Sequence, residues 1–166
     1  MDIHTGPRPG CISGITLLHA GYYARTAGFG IPFEARVAHE LADFCMAFDA
    51  ARDGLWLALD NSGTVQASIA IDGSHGADSG AHLRWFIASD AARGSGIGRR
   101  LLTGALAFCD SQAYSRVFLW TFEGLAAARH LYEQTGFVLT HQQIGRHWGK
   151  EVNEQRFERN RSSPLG

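Results

Sequence analysis

One stretch limits the folds open to this chain more than any other: Arg93-Gly94-Ser95-Gly96-Ile97-Gly98-Arg99-Arg100-Leu101-Leu102. An apolar run from Leu83 to Ala88 precedes it and reads as a strand. An amphipathic run follows, with Ile97, Leu101, Leu102, Ala105, Phe108 and Cys109 on one helical face. The order is therefore strand, glycine-rich turn, helix start. Alternating glycines leave backbone N–H groups uncovered by side chains. The first N–H groups of a helix lack partners inside the helix and sit at the positive end of its dipole. Together these make an anion site, most often for phosphate. Arg93, Arg99 and Arg100 add fixed positive charge around it.

The spacing excludes two phosphate ligands. A dinucleotide fingerprint needs a third glycine three positions after the second, and counting from Gly94 and Gly96 that position is Arg99. A nucleoside-triphosphate loop needs Gly-Lys followed by Ser or Thr, which the chain lacks. What fits is Arg-x-x-Gly-x-Gly, carried by Arg93, Gly96 and Gly98. This resembles the pyrophosphate loop of the GNAT superfamily of N-acetyltransferases, which holds acetyl-coenzyme A. Downstream, Leu131-Tyr132-Glu133-Gln134-Thr135-Gly136-Phe137 resembles the Leu-Tyr-Glu-x-x-Gly-Phe signature of the same superfamily. The family's Asn ahead of the tyrosine helix has no counterpart in Thr121-Phe122-Glu123-Gly124-Leu125. Leu119 to Leu125, with Trp148-Gly149, is also similar to the acetyltransferase half of MarR-type regulators fused to acetyltransferases.

The residues themselves predict an α/β (α+β) order. A first strand covers Met1 to Thr5. Helices run over Cys11–Thr26 and from Pro32 to about Phe48. Strands follow at Leu55–Leu59, Val65–Ile71 and His82–Ala88, then a helix from Ile97, a strand at Arg116–Phe122 and a helix at Leu125–Thr135. Two last strands reach about Ile144 and cover Glu151–Phe157. A helix bridging two strands favours a parallel pair, and the hairpins favour antiparallel pairing elsewhere. Asp72 to Gly80 is a polar, mobile loop. The resemblance implies a GNAT-like, mostly antiparallel sheet of six to seven twisted strands flanked by about four helices. A single domain is expected over 1–160, with a flexible tail over 161–166.

Acetyl-CoA is the implied co-substrate, with no metal. Backbone groups of Arg93, Gly94, Ser95, Gly96, Ile97, Gly98 and Arg99 are expected to seat its diphosphate. Phe86, Ile87 and Ala88, at the end of a strand that splays from its neighbour, are expected to pair with its pantetheine arm. A backbone N–H there is a candidate donor to the thioester oxygen. Tyr132 is the candidate general acid, since a departing thiolate gains from protonation and tyrosine keeps its proton at neutral pH. An amine acceptor is mostly protonated at pH 7, so a base is needed; Glu34 is the first candidate and Glu123 the second. Each also has a bland reading as a helix N-terminal acid. His147 and Trp148, from the last hairpin, are candidates to line the acceptor pocket.

Composition bounds the rest. The chain has 166 residues and a net charge of −1, with no long basic run, so no nucleic-acid partner is expected. That near-neutral charge also weighs against a highly charged acceptor. Cys11, Cys45 and Cys109 show no metal-ligand spacing and read as free thiols of a reducing cytoplasm. No signal peptide and no membrane span is expected. The 8 histidines form no zinc motif, and no Gly-x-Ser-x-Gly elbow is present, so direct transfer is preferred over an acyl-enzyme; Cys109 reads as core. The expected activity is acetyl transfer to the amine of a small molecule or amino acid. The alternative is a non-catalytic acyl-CoA-binding sensor. The last strands are candidates to pair two copies as a homodimer.

Overall fold

The computed structural model describes residues 1–76 and 79–161. Strand β1 (Asp2–Thr5) leads into helices α1 (Cys11–Ala27) and α2 (Ile31–Met46). Strands β2 (Gly54–Leu59), β3 (Val65–Asp72) and β4 (Ala81–Ala88) follow, then α3 (Ile97–Ser111), β5 (Arg116–Phe122), α4 (Ala126–Gln134), β6 (Val138–Gly145) and β7 (Val152–Asn160). The seven strands form one sheet in the order β1-β2-β3-β4-β5-β7-β6. Every pair is antiparallel except β4–β5, the pair bridged by α3. The mixed, mostly antiparallel sheet with four helices is as the sequence predicts. The last strand runs past its expected end at Phe157, and β7 closes at Asn160. The tail reading over 162–166 and the loop reading at 77 and 78 lie outside the described residues.

Each face of the sheet carries its own core. One face packs Leu101, Leu102 and Leu106 of α3 and Tyr132 of α4 against Ile69, Leu119 and Phe157. The other packs Ile15 of α1 and Phe33, Val37 and Leu41 of α2 against Leu55, Leu57 and Trp85. Phe33, Val37, Leu41 and Phe44 recur at helical spacing, so α2 buries one stripe and leaves the flanking positions to face the site.

Two irregularities of β4 matter most. First, β4 and β5 pair only at Ala81↔Val117 and His82↔Phe118, so beyond His82 the two strands part. Second, β4 bulges against β3: Ser68 lies opposite Ile87 and Ala70 opposite Arg84, leaving Ile69 alone to face Trp85 and Phe86. Trp85 sits at φ 48°, a left-handed conformation that costs a non-glycine residue about 1–3 kcal/mol. The buried Ser68 hydroxyl donates to the Trp85 carbonyl at 2.7 Å and so offsets part of that cost. The extra residue shifts the side-chain alternation. Leu83 faces the α3 core, whereas Arg84 and Trp85 both lie toward α2.

Candidate active site

The parting of β4 and β5 opens a cleft on one side of the sheet and a cavity on the other. The cleft, of about 630 Å³, runs between the glycine turn and the start of α4 and is lined by Gly94, Gly96, Gly98, Arg99 and Ala126 among others. The cavity, of about 400 Å³, is walled by α1, α2, the β4 and β5 side chains and the loop ahead of β7. Tyr23 and Phe86 line both, so the two spaces meet at these side chains.

The glycine turn needs glycine at Gly94 (φ 76°) and Gly96 (φ 82°), both left-handed. Its amides divide into two sets. Those of Arg93 and Ser95 turn back to the carbonyls of Ser89 and Ala92. Those of Gly94, Gly96, Ile97, Gly98 and Arg99 have no backbone partner among the described residues, the last three being the first turn of α3. The set of free amides is thus narrower than the one the sequence predicts as an anion seat. Ser95 does not line the cleft, and its hydroxyl is spent on the Ala92 carbonyl. Arg93 lines the cleft, but its guanidinium lies 4.0 Å over the Tyr22 ring and donates to the Ala88 carbonyl at 3.1–3.2 Å. It therefore staples the end of β4 to α1. The Ala88 carbonyl, expected free, is taken by this bond, while Phe86, Ile87 and Ala88 all line the cleft. Arg99 reaches Gln134 at 2.8 Å from the cleft wall.

Tyr132 is 6% exposed, lines the cavity, and packs its ring against Phe86, Phe137 and Phe157. Burial, with Tyr23 nearby, pushes its hydroxyl well above the ordinary tyrosine range, so it stays protonated at neutral pH. Burial likewise pushes Tyr23 up to about 12.

Glu34 does not reach the cavity. It is exposed in the first turn of α2, one residue beyond the inward stripe and so about 100° around the helix. Glu40 takes that place: Phe33, Arg36, Val37 and Glu40, spaced i, i+3, i+4, i+7, all line the cavity. Its carboxylate accepts from Arg36 Nε at 3.0 Å and from Arg84 Nη2. Glu123 lines neither space and instead pairs with Asn153. His147 and Trp148 do line the cavity, and the His147 carbonyl accepts from Arg36 at 2.9 Å.

Sequence reasoning missed His19, Tyr23, Arg36, Glu40 and Arg84. For the first four the signal available was the helical stripe of α1 and α2, which runs on from apolar to polar residues at unchanged spacing; Arg84, on β4, had none. His19 is buried, with Nδ1 at 2.8 Å from the Ile15 carbonyl. A carbonyl only accepts, so Nδ1 carries the hydrogen. Burial lowers the ring to about 4, so it is neutral at pH 7 and its Nε2 is a bare acceptor. Burial first, and then Arg84 and Arg36 respectively, also lower His82 and His147. Among the described residues, no cluster of His, Cys, Asp and Glu is placed to hold a metal ion, and no helix is long and apolar enough to cross a membrane.

A model of the acetyltransferase (GNAT) family matches residues 19–137, spanning both the glycine turn and the tyrosine helix. The chain belongs to the GNAT acetyltransferases. No curated protein sequence matches the chain. Among solved structures it is similar to yncA from Salmonella typhimurium, a structure that holds its cofactor acetyl-CoA (TM-score 0.71, 17% identity, covering 100% of this chain and 96% of that one). It is also similar to a ribosomal-protein-alanine N-acetyltransferase from Brucella melitensis (TM-score 0.72, 15% identity, 97% and 100% covered). A spermidine N-acetyltransferase from Vibrio cholerae gives TM-score 0.68 at 16% identity, with 96% and 95% covered. At these identities the likeness is one of fold. The family is one of acetyltransferases, and the yncA structure holds acetyl-CoA. The cleft suits that ligand: the unpartnered amides of the glycine turn form a cradle for a diphosphate.

Proposed function

We propose that this enzyme transfers an acetyl group from acetyl-CoA to the amine of a small molecule or amino acid by direct attack. One observation carries the reading: the cleft behind the glycine turn and the cavity under α1 and α2 meet through the gap where β4 leaves β5. A ligand along the cleft and a second in the cavity can then touch only at that gap, beside Tyr23, Phe86 and Tyr132.

When bound, acetyl-CoA supplies an acyl thioester. The amides of Gly94, Gly96, Ile97, Gly98 and Arg99 hold its diphosphate. The edge of β4 at Phe86–Ala88, unpaired on its β5 side, orients its arm. Tyr132 keeps a proton on its phenolic oxygen and is the donor available to a departing sulfur. Glu34 is too far around α2 for the base role. The neutral Nε2 of His19 is one acceptor that the cavity wall offers to an amine proton, beside the neutral rings of His82 and His147. Cys109 is fully buried, and burial, with Asp110 nearby, pushes its thiol up to about 12. A thiol so disfavoured as thiolate weighs against an acyl-enzyme. The free cysteines fit a reducing compartment, and we assign the enzyme to the cytoplasm.

Two fold relatives are named as N-acetyltransferases of spermidine and of ribosomal-protein alanine, so the fold admits different amine acceptors. The test is to incubate the protein with acetyl-CoA and a panel of amines and follow thiol release. Release that depends on an added amine is the expected result. Tight coenzyme binding with no release across the panel would make the protein a sensor instead.

A further inference from the structure

The charged groups of the cavity do not balance in hydrogen bonds. Arg36, Glu40 and Arg84 line it. Both oxygens of Glu40 are in use, Oε1 with Arg36 Nε and Oε2 with Arg84 Nη2. Each guanidinium carries five N–H donors. Arg36 uses two of its own, toward Glu40 and the His147 carbonyl. Arg84 uses one, toward Glu40. The remaining donors have no partner among the described residues. The positive charge is also one unit in excess on this wall, because the three histidines that line the cavity are held neutral.

The surplus is fixed in place. Arg84 lies 4.2 Å over the Trp85 ring, so its plane is set by the β4 bulge. Arg36 is tied at both ends, to Glu40 on α2 and to the loop ahead of β7. A rigid fork of unused guanidinium N–H groups matches a carboxylate, which accepts two of them at once. Phe33, Phe122 and Trp148 add an aromatic, apolar side to the wall.

We propose that the amine acceptor of this enzyme also carries a carboxylate, seated on Arg36 and Arg84, with an apolar body against the aromatic wall. This rests on the acetyl-transfer reading above and deepens it. The acceptor class is that of neutral α-amino acids and similar amino acids with one acid group. A polyamine is disfavoured, because a second ammonium meets two arginines and a glutamate whose oxygens are already bonded.

The test measures binding and turnover separately. The probes are L-leucine, L-methionine and L-phenylalanine, the carboxamide of each, and spermidine, titrated calorimetrically into protein saturated with coenzyme A. At least one acid is expected to bind about tenfold or more tightly than its amide and than spermidine, the range of a charged hydrogen bond. Arg84→Gln should cut that acid-to-amide ratio to near unity. Since this leaves Glu40 with one partner fewer, the double variant Arg84→Gln with Glu40→Gln is the control for misfolding, and it should lose the same discrimination. Equal affinity for acid and amide, tighter binding of spermidine, or discrimination that survives in both variants overturns the proposal. Thiol release from acetyl-CoA is followed in parallel. Turnover that ignores the acid group keeps the transferase and overturns the anion seat. Acid-selective binding with no turnover keeps the seat and overturns the transferase.

Discussion

The anion seat can be tested at Gly96 with two residues of one shape. Gly96→Asn and Gly96→Asp both place a Cβ on a backbone at φ 82°, where nothing lies within 4 Å of it. The cost to stability is therefore conformational strain alone, about 1–2 kcal/mol in each variant, with Asn the better tolerated. For a chain of this size that lowers Tm by about 2–4 °C per kcal/mol. The difference between the variants in coenzyme binding is the charge. A carboxylate about 5 Å from a diphosphate of two charges costs roughly 1.7 kcal/mol even at the dielectric of water, and more in the cleft. The Asp variant should thus bind coenzyme A more than about tenfold more weakly than the Asn variant. Calorimetric titration with coenzyme A, repeated at high salt, reads this directly. The gap should narrow as salt screens the repulsion. Equal affinity of the two variants, or a gap indifferent to salt, would refute the placing of the diphosphate on these amides.

Four further outcomes follow from the same structure. Tyr132→Phe keeps the ring that packs on Phe137 and Phe157, so it should fold and bind coenzyme A normally while turnover falls roughly a hundredfold; steady-state kinetics with coenzyme titration checks both halves. His19 is lowered to about 4 from an unfolded value of 6.5, so the unfolded chain binds the proton first as pH falls. From His19 alone, stability should be full above about pH 6.5, drop by about 2 kcal/mol by pH 5, and level off below about pH 4; urea melts should show a shallower slope in His19→Gln than in wild type, the remainder coming from His82 and His147. Ser68→Ala removes the donor to the buried Trp85 carbonyl and should cost about 1–3 kcal/mol, together with weaker coenzyme binding if the bulge relaxes; an unchanged denaturation midpoint would contradict this. Thr16 buries a hydroxyl oxygen with no partner among the described residues, so Thr16→Val should raise stability by roughly 1 kcal/mol in the same melts.

The elements, their order and the glycine turn with its free amides were legible in the sequence because each is a local pattern. Alternating glycines ahead of the Ile97 and Leu101 stripe mark an anion-binding helix start wherever the chain goes. Phe33, Val37 and Leu41 mark the buried face of α2 by period alone. The Leu-Tyr-Glu-x-x-Gly-Phe signature places Tyr132 on a helix whose buried face is likewise periodic. Arg93 shows where such reading stops, since its register fits a phosphate ligand but its guanidinium is claimed by Tyr22 and Ala88.

What the chain's order of residues determined alone was therefore the architecture and the class of co-substrate. Apart from His147 and Trp148, tertiary structure decided the acceptor side. Glu34 and Glu40 look alike in sequence, and only the rotation of α2 against the sheet turns one to water and the other onto Arg84. Arg84 itself faces the cavity because a bulge at Trp85, pinned by Ser68 on the neighbouring strand, shifts the alternation of β4. Neither the bulge nor the parting of β4 from β5 has a local cause. Both come from contacts between distant segments, and the cavity chemistry exists only once those contacts form.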